Sequence, residues 1–532
     1  MKKSILSSLF ILLFVLLSQT SFSQLFNEDV YKFGKALNYI TSYYVDTVNR
    51  SELAENALIG MLKDLDPHSV YMSKEEVKKI NEPLQGNFEG VGIQFNILND
   101  TLYVISPISG GPSEKVGVMA GDRIVKIDNE IVAGVGLTTK GVKDRLLGEK
   151  GTKVEIEVKR KGMNEPLKFV IIRDKIPIYC LDAAYVVNND IGYIKLNRFA
   201  ITTHEEFNKA ANKLIQKGAN NLILDLRDNG GGYLEMAIRL ADEFLEKEKM
   251  IVYTEGSKTP KTENFSTENG LFIDGNIAIL IDEGSASASE IVAGAIQDWD
   301  RGVIIGRRSF GKGLVQRPLM LPDGSMIRLT IARYHTPTGR VIQKSYSDGN
   351  KKYSHDLFDR YKHGELLNKD SIEFPDSLEY RTLKNNRIVY GGGGIMPDIF
   401  IPIDTSAYPK YYSKLIRQGI INKFILDYID KNRKNIEKQY PKFEKYNKKF
   451  SISDEMMDEL SVCAKNDGIE KDKHNHDDVS IDNIKLLLKA LIARDIWDMS
   501  EYFQIINQED KGFIKAIDVL ENWDDYKKEI LK

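Results

Sequence analysis

The chain has 532 residues, with 74 lysines and arginines against 77 aspartates and glutamates, for a formal net charge of −3. At 42% hydrophobic and 28% charged residues it has the balance of folded domains, and at roughly 150 residues each it has room for several. Two cysteines, Cys180 and Cys463, exclude a disulfide framework and a cysteine zinc cluster, and near-neutrality gives no overall pull toward nucleic acid.

Lys2 and Lys3 precede an apolar run over residues 5–17, and Ser21 and Ser23 stand two apart before Gln24. This pattern describes a secretory signal peptide over residues 1–23. As helix the run reaches ~20 Å, short of a ~30 Å hydrocarbon core, so the mature protein is expected outside the cytoplasm, in the periplasm. Membrane contact is expected only if the leader is retained. Residues 24–82 form a helical unit. Val30, Phe33, Leu37, Ile40 and Tyr44 share one helical stripe, residues 53–65 carry a second, and Asp66-Pro67 ends it. Ser73 and Glu76 have capping-box spacing for a third helix.

From 83 to 177 short β segments alternate with glycine-rich joints. Gly90-Val91-Gly92-Ile93 leads into a strand with a partner near 102–105, and 118–124 reads Val-Met-Ala-Gly-Asp-Arg-Ile. A glycine loop before an exposed strand suits binding of a peptide by strand addition. The module resembles a PDZ domain. From 178 to 404, buried-strand runs at 191–196, 221–226 and 276–282 are separated by helical patterns, which predicts an α/β core. Residues 405–532 read as helical and highly charged, with stripes at Leu415–Ile429 and 484–497. His474 and His476, without cysteine support, are too slight for a metal site.

Two strand-to-helix breaks carry the chemistry. Asp225-Leu226-Arg227-Asp228-Asn229 runs into Gly230-Gly231-Gly232, where exposed N–H groups suit a developing negative charge. Ser285, Ser287 and Ser289 stand at the second break, where a helix dipole favours negative charge on a reacting oxygen. Spacing leaves open which serine is the nucleophile. Lys312, between Gly311 and Gly313, is placed so that burial would favour a neutral amine able to take a serine proton. Residues 306–312 fit the start of a phosphate-binding loop, but Gly313 stands where its hydroxyl residue belongs, so nucleotide hydrolysis is excluded.

These blocks, with Leu65-Asp66-Pro67-His68-Ser69, Thr336-Pro337, Gly393-Gly394-Ile395 and Pro397-Asp398, resemble in order the carboxyl-terminal processing peptidases, or tail-specific proteases. The likeness spans about residues 28–404. It implies a multidomain α+β chain: N-terminal helical unit, PDZ domain, α/β serine peptidase core and C-terminal helical extension. It assigns Ser287 as nucleophile, Lys312 as general base and Gln316 as the residue orienting that lysine, on one strand face by alternation. Backbone N–H groups of Gly231 and Ala288 become the oxyanion donors. Gly90, Val91, Gly92 and Ile93 hold the substrate's terminal carboxylate.

The implied activity is serine endopeptidase cleavage near the C-terminal tails of unfolded proteins, with no cofactor, metal or nucleic acid. Asp298 is open to a catalytic or a salt-bridge role. The alternative is a peptide-binding scaffold with a silent peptidase domain. Two features depart from the family pattern: the basic Arg307-Arg308 pair, and the C-terminal extension, which could serve a homo-oligomer, an adaptor or a cover over the site.

Overall fold

The computed structural model describes residues 28–98, 100–108, 110–188, 190–267, 270–404, 410–470 and 478–529. The proposed leader, Ser109 and the His474–His476 pair lie outside the described residues. Among the described residues no helix is long and apolar enough to cross a membrane. The chain divides into two compact units, one of residues up to 77 with 316–330, the other of 78–315 and 331 onward.

In the first unit the helix Glu28–Tyr43 forms where the stripe predicts it, yet Val30, Phe33 and Ile40 stay exposed. The second helix, Arg50–Lys63, stops before Asp66-Pro67. Asp66 instead ties a turn: its carboxylate accepts from the N–H of His68 at 2.8 Å, the N–H of Ser69 at 3.0 Å and the hydroxyl of Thr330 at 3.1 Å. The strand Val70–Met72 then pairs antiparallel with Met326–Arg328. The capping box forms, with the Ser73 N–H donating to Glu76 at 2.8 Å.

In the second unit the PDZ-like module is a sheet ordered Ile93–Leu98, Thr101–Pro107, Arg123–Ile127, Lys153–Lys159, Leu167–Ile172. Leu102, Ile124, Ile156 and Val142 fill its core, and Ile93–Leu98 lies on the sheet edge. The mostly parallel sheet is ordered Leu181–Val186, Ile191–Leu196, Asn221–Asp225, Ile277–Ile281, Val303–Gly306, Ile399–Phe400, parallel after its first pair. Its central strands Asn221–Asp225 and Ile277–Ile281 are buried throughout, because a parallel sheet is covered on both faces. One face packs on the helices Thr203–Gln216, Leu234–Asp242 and Ala288–Asp298. The chain's own end covers the other: Phe513, Ala516, Val519 and Leu520 of the helix Lys511–Glu521 meet Tyr193, Ile223, Leu280 and Ile305.

The extension therefore has two parts. Leu415, Ile425, Tyr446, Leu460, Leu488 and Ile492 build a separate helical core, whereas the last helices cover the mostly parallel sheet. Phe513 meets Tyr193 edge to face at 5.3 Å. Phe513→Ala is expected to cost about 3–5 kcal/mol of stability, as for a large buried aromatic, measured as a lower urea midpoint.

Candidate active site

The strands Asn221–Asp225 and Ile277–Ile281 end side by side, with Asp225 in register with Leu280. The turns beyond their carboxyl ends therefore meet, where open parallel sheets form their crevice. Gly231, with φ +94°, shows how closely: a Cβ there would stand 2.7 Å from the Ala286 carbonyl oxygen and 2.9 Å from the Ala288 nitrogen and the Ser287 Cβ. Only glycine permits that approach.

The three serines differ in what surrounds them. Ser285 and Ser289 are fully buried, and their hydroxyls donate to the carbonyls of Leu226 and Asn229, each at 2.8 Å. Ser287 is half-buried and adopts φ 56°, ψ −110°, a geometry that costs about 1–3 kcal/mol outside glycine and persists only where its surroundings impose it.

Glu290 imposes it from one side. One oxygen of its buried carboxylate accepts both the Ser287 N–H, at 2.7 Å, and the Lys312 N–H, at 2.9 Å. The other accepts the Gly311 N–H at 2.7 Å and the Ser309 hydroxyl at 2.5 Å. From the other side, the buried Tyr334 hydroxyl lies in hydrogen-bonding reach of the carbonyls of Ser287, at 3.2 Å, and Lys312. Residues 287 and 312 are thus bracketed by the same two side chains. Burial pushes the Glu290 carboxyl up, against bonds from Ser309, Lys312, Gly311 and Ser287 that pull it down. Burial, with Glu290 nearby, holds the Tyr334 phenol protonated.

Of the other residues singled out above, Ala288 opens the helix Ala288–Asp298, where N–H groups have no acceptor within the helix. The Gly231 N–H donates to the Asn229 side-chain oxygen at 2.9 Å. The strand holding Gln316 begins at Leu314, so Lys312 sits in the preceding loop and strand alternation does not relate the two. In the PDZ-like module the Val91 carbonyl accepts from the Ser113 hydroxyl at 2.7 Å and the Gly92 carbonyl from the Ile108 N–H at 2.9 Å, which fixes the loop on its carbonyl side. Asp298, at the far end of its helix from Ser287, pairs with the buried Arg340 at 2.7 Å and accepts from the Thr338 hydroxyl at 2.8 Å.

Asp225 anchors the first turn. It accepts two bonds from Arg227, at 2.9 and 2.7 Å, and one from the Tyr193 hydroxyl at 2.8 Å, with Lys195 at 3.5 Å. Burial alone would raise its carboxyl, but Arg227 and Lys195 bring it well below the usual carboxylate range. Arg227 reaches onward to Asp510, at 2.8 Å, which also caps the helix Lys511–Glu521 by accepting the Phe513 N–H. Asn229 and Arg227 stand in the glycine break without their roles being legible there, and Glu290, Tyr334 and Asp510 emerge as parts of the site only in the fold. A signal for Glu290 was present, since Ser287 and Glu290 have the Ser-x-x-Glu spacing of a capping box.

Two outcomes follow. Glu290→Gln replaces acceptor oxygen by an NH2 group facing backbone donors, at about 1–3 kcal/mol for each one left unsatisfied. With the 287 and 312 backbones released, peptide hydrolysis should fall about 100-fold in a steady-state assay. Asp225 is an acid-sensitive group: its folded value lies below its unfolded one, so its contribution is present at neutral pH, begins to fade as pH drops below about 4 and is lost as pH falls through the folded value. Urea midpoints should drop between about pH 5 and 2 in the wild type, and less steeply in a less stable Asp225→Asn.

Comparison with known proteins gives this geometry a family. Residues 190–349 match the model of peptidase family S41, 90–170 that of the PDZ domain, and 16–76 that of the activating protease CtpB N-terminal domain. Residues 411–498 match a family of unknown function. The carboxy-terminal-processing protease of Bartonella bacilliformis is 40% identical over 317 residues, 59% of this chain and 72% of that protein. The carboxy-terminal processing protease CtpB of Bacillus subtilis is 36% identical over 59% of this chain and 65% of its own length. Among solved structures, the photosystem II D1 C-terminal processing protease aligns at TM-score 0.34 and 28% identity, over 58% of this chain and 89% of that one. A relative this similar over most of its own length, together with the peptidase and PDZ matches, makes the chain a member of the carboxy-terminal processing proteases of peptidase family S41, serine-type peptidases.

Proposed function

We propose that this protein is a secreted, periplasmic endopeptidase that cuts other proteins near their C-terminal tails, with Ser287 as nucleophile and Lys312 as general base. One observation carries the reading: a single oxygen of Glu290 accepts the backbone N–H of both residues, so they come to one point from segments far apart in sequence. Ser287 is also the serine of its cluster that is not fully buried.

In this mechanism the Ser287 oxygen attacks the scissile carbonyl carbon while its proton passes to the Lys312 amine. The carbonyl oxygen becomes an oxyanion held by the Ala288 N–H, and by that of Gly231 once the Asn229 side chain releases it. The C–N bond breaks, the leaving amine takes the proton from Lys312, and water hydrolyses the remaining ester with the lysine again as base. The loop from Gly90 to Ile93 receives the substrate's terminal carboxylate on its N–H groups, and the tail adds to the edge strand Ile93–Leu98.

Ser287→Ala and Lys312→Ala should each abolish cleavage of an unfolded substrate, followed by mass spectrometry, while circular dichroism stays that of the wild type. In the same assay a peptide ending in an amide should be cut more slowly than the free acid. Substantial cleavage by either variant would overturn the assignment of that residue.

A further inference from the structure

The match to the peptidase family ends at residue 349, and the helix Asn350–Lys362 begins at the next residue. That helix grips the segment leading to Lys312. The Arg360 side chain is 4% exposed, and its guanidinium donates to the Ser309 carbonyl at 3.1 Å and the Arg308 carbonyl at 2.7 Å. Burial, then the like charge of Arg308, lowers the Arg360 guanidinium to about 10, which leaves it charged at neutral pH.

Glu365, just beyond the helix, pairs with both Arg308 and Arg360. The basic pair that departs from the family pattern is thereby matched residue by residue, since Arg307 pairs with Glu283 at 2.7 Å. A second contact holds the next position. Lys344 pairs with Asp356 of the helix at 2.8 Å, and its ammonium sits 3.9 Å from the Phe310 ring centroid and 4.3 Å from that of Tyr353.

The loop of residues 308–312 is therefore held from two directions. Glu290 takes its N–H groups at 311 and 312, and Arg360 takes its carbonyls at 308 and 309. An arginine fork can satisfy two diverging carbonyls at once with charge-assisted bonds, which a lysine cannot do in the same geometry. We propose that Arg360 is a positioning residue for catalysis, setting through the Arg308 and Ser309 carbonyls where the loop presents Lys312 to Ser287. This rests on Lys312 being the general base.

The test uses the full chain, with Arg360→Lys, Arg360→Ala and Lys312→Ala compared on an unfolded protein substrate. Rates are taken per folded molecule, from urea curves run in parallel. Arg360→Lys should lower kcat about 10-fold and Arg360→Ala about 100-fold, with KM within about twofold, because positioning acts on the chemical step. Guanidinium ion at millimolar concentration should restore part of the kcat of Arg360→Ala and none of that of Lys312→Ala. Labelling by a small serine-directed fluorophosphonate, which makes no peptide contacts, should slow in step with kcat.

If Arg360→Ala folds poorly, Arg360→Lys supplies the kcat and labelling readouts. Wild-type kcat in the folded variants, or a change confined to KM, overturns the proposal. So does unchanged fluorophosphonate labelling. An inactive Lys312→Ala beside fully active Arg360 variants overturns this inference alone, whereas an active Lys312→Ala overturns the base assignment and this inference together.

Discussion

The buried carboxylate of Glu290 is the constraint from which the site is built. A carboxylate without water is costly unless its oxygens are hydrogen-bonded, and here each oxygen collects two donors, one oxygen bridging Ser287 and Lys312 and the other bound twice by the loop of residues 309–311. The need to satisfy that charge draws the loop of residues 309–312 onto the first turn of the Ser287 helix. It also holds Ser287 in a backbone geometry that serine ordinarily avoids. Placement of residues 287 and 312 and solvation of the charge are the same set of bonds.

A second network supports the neighbouring turn. Asp225, Arg227, Tyr193, Lys195 and Asp510 join the carboxyl end of a central strand to the cap of a helix near the end of the chain. Pairs this deep are weak evidence of net stability, because desolvation offsets much of the attraction, but removing one partner strands the other. Their effect is geometric: the turn carrying Gly231 begins at Arg227, whose backbone and side chain are both fixed by Asp225.

Much of this was legible in the residues. Continuous apolar runs at 191–196, 221–225 and 277–281 signal strands covered on both faces, and the glycine and serine breaks after them mark the crevice. What could not be read is which parts meet across long sequence separations. Nothing local in Asp510 distinguishes it from any helix cap, and only the fold brings it to Arg227. The Arg307-Arg308 pair looked out of place because its partners, Glu283 and Glu365, lie 24 and 57 residues away. The expected alternation between Lys312 and Gln316 failed for a local reason, a strand that starts at Leu314.

The closure of the sheet by the helix Lys511–Glu521 bears on when the enzyme becomes competent. Arg227 and Asp510 are 283 positions apart, so the turn carrying Gly231 obtains its outer carboxylate from a segment synthesised long after it. A chain in which residues 510–521 have yet to leave the ribosome has Tyr193, Ile223 and Leu280 bare on one face, and a first turn lacking part of its support. The two turns of the crevice therefore depend on a segment, residues 510–521, made long after them.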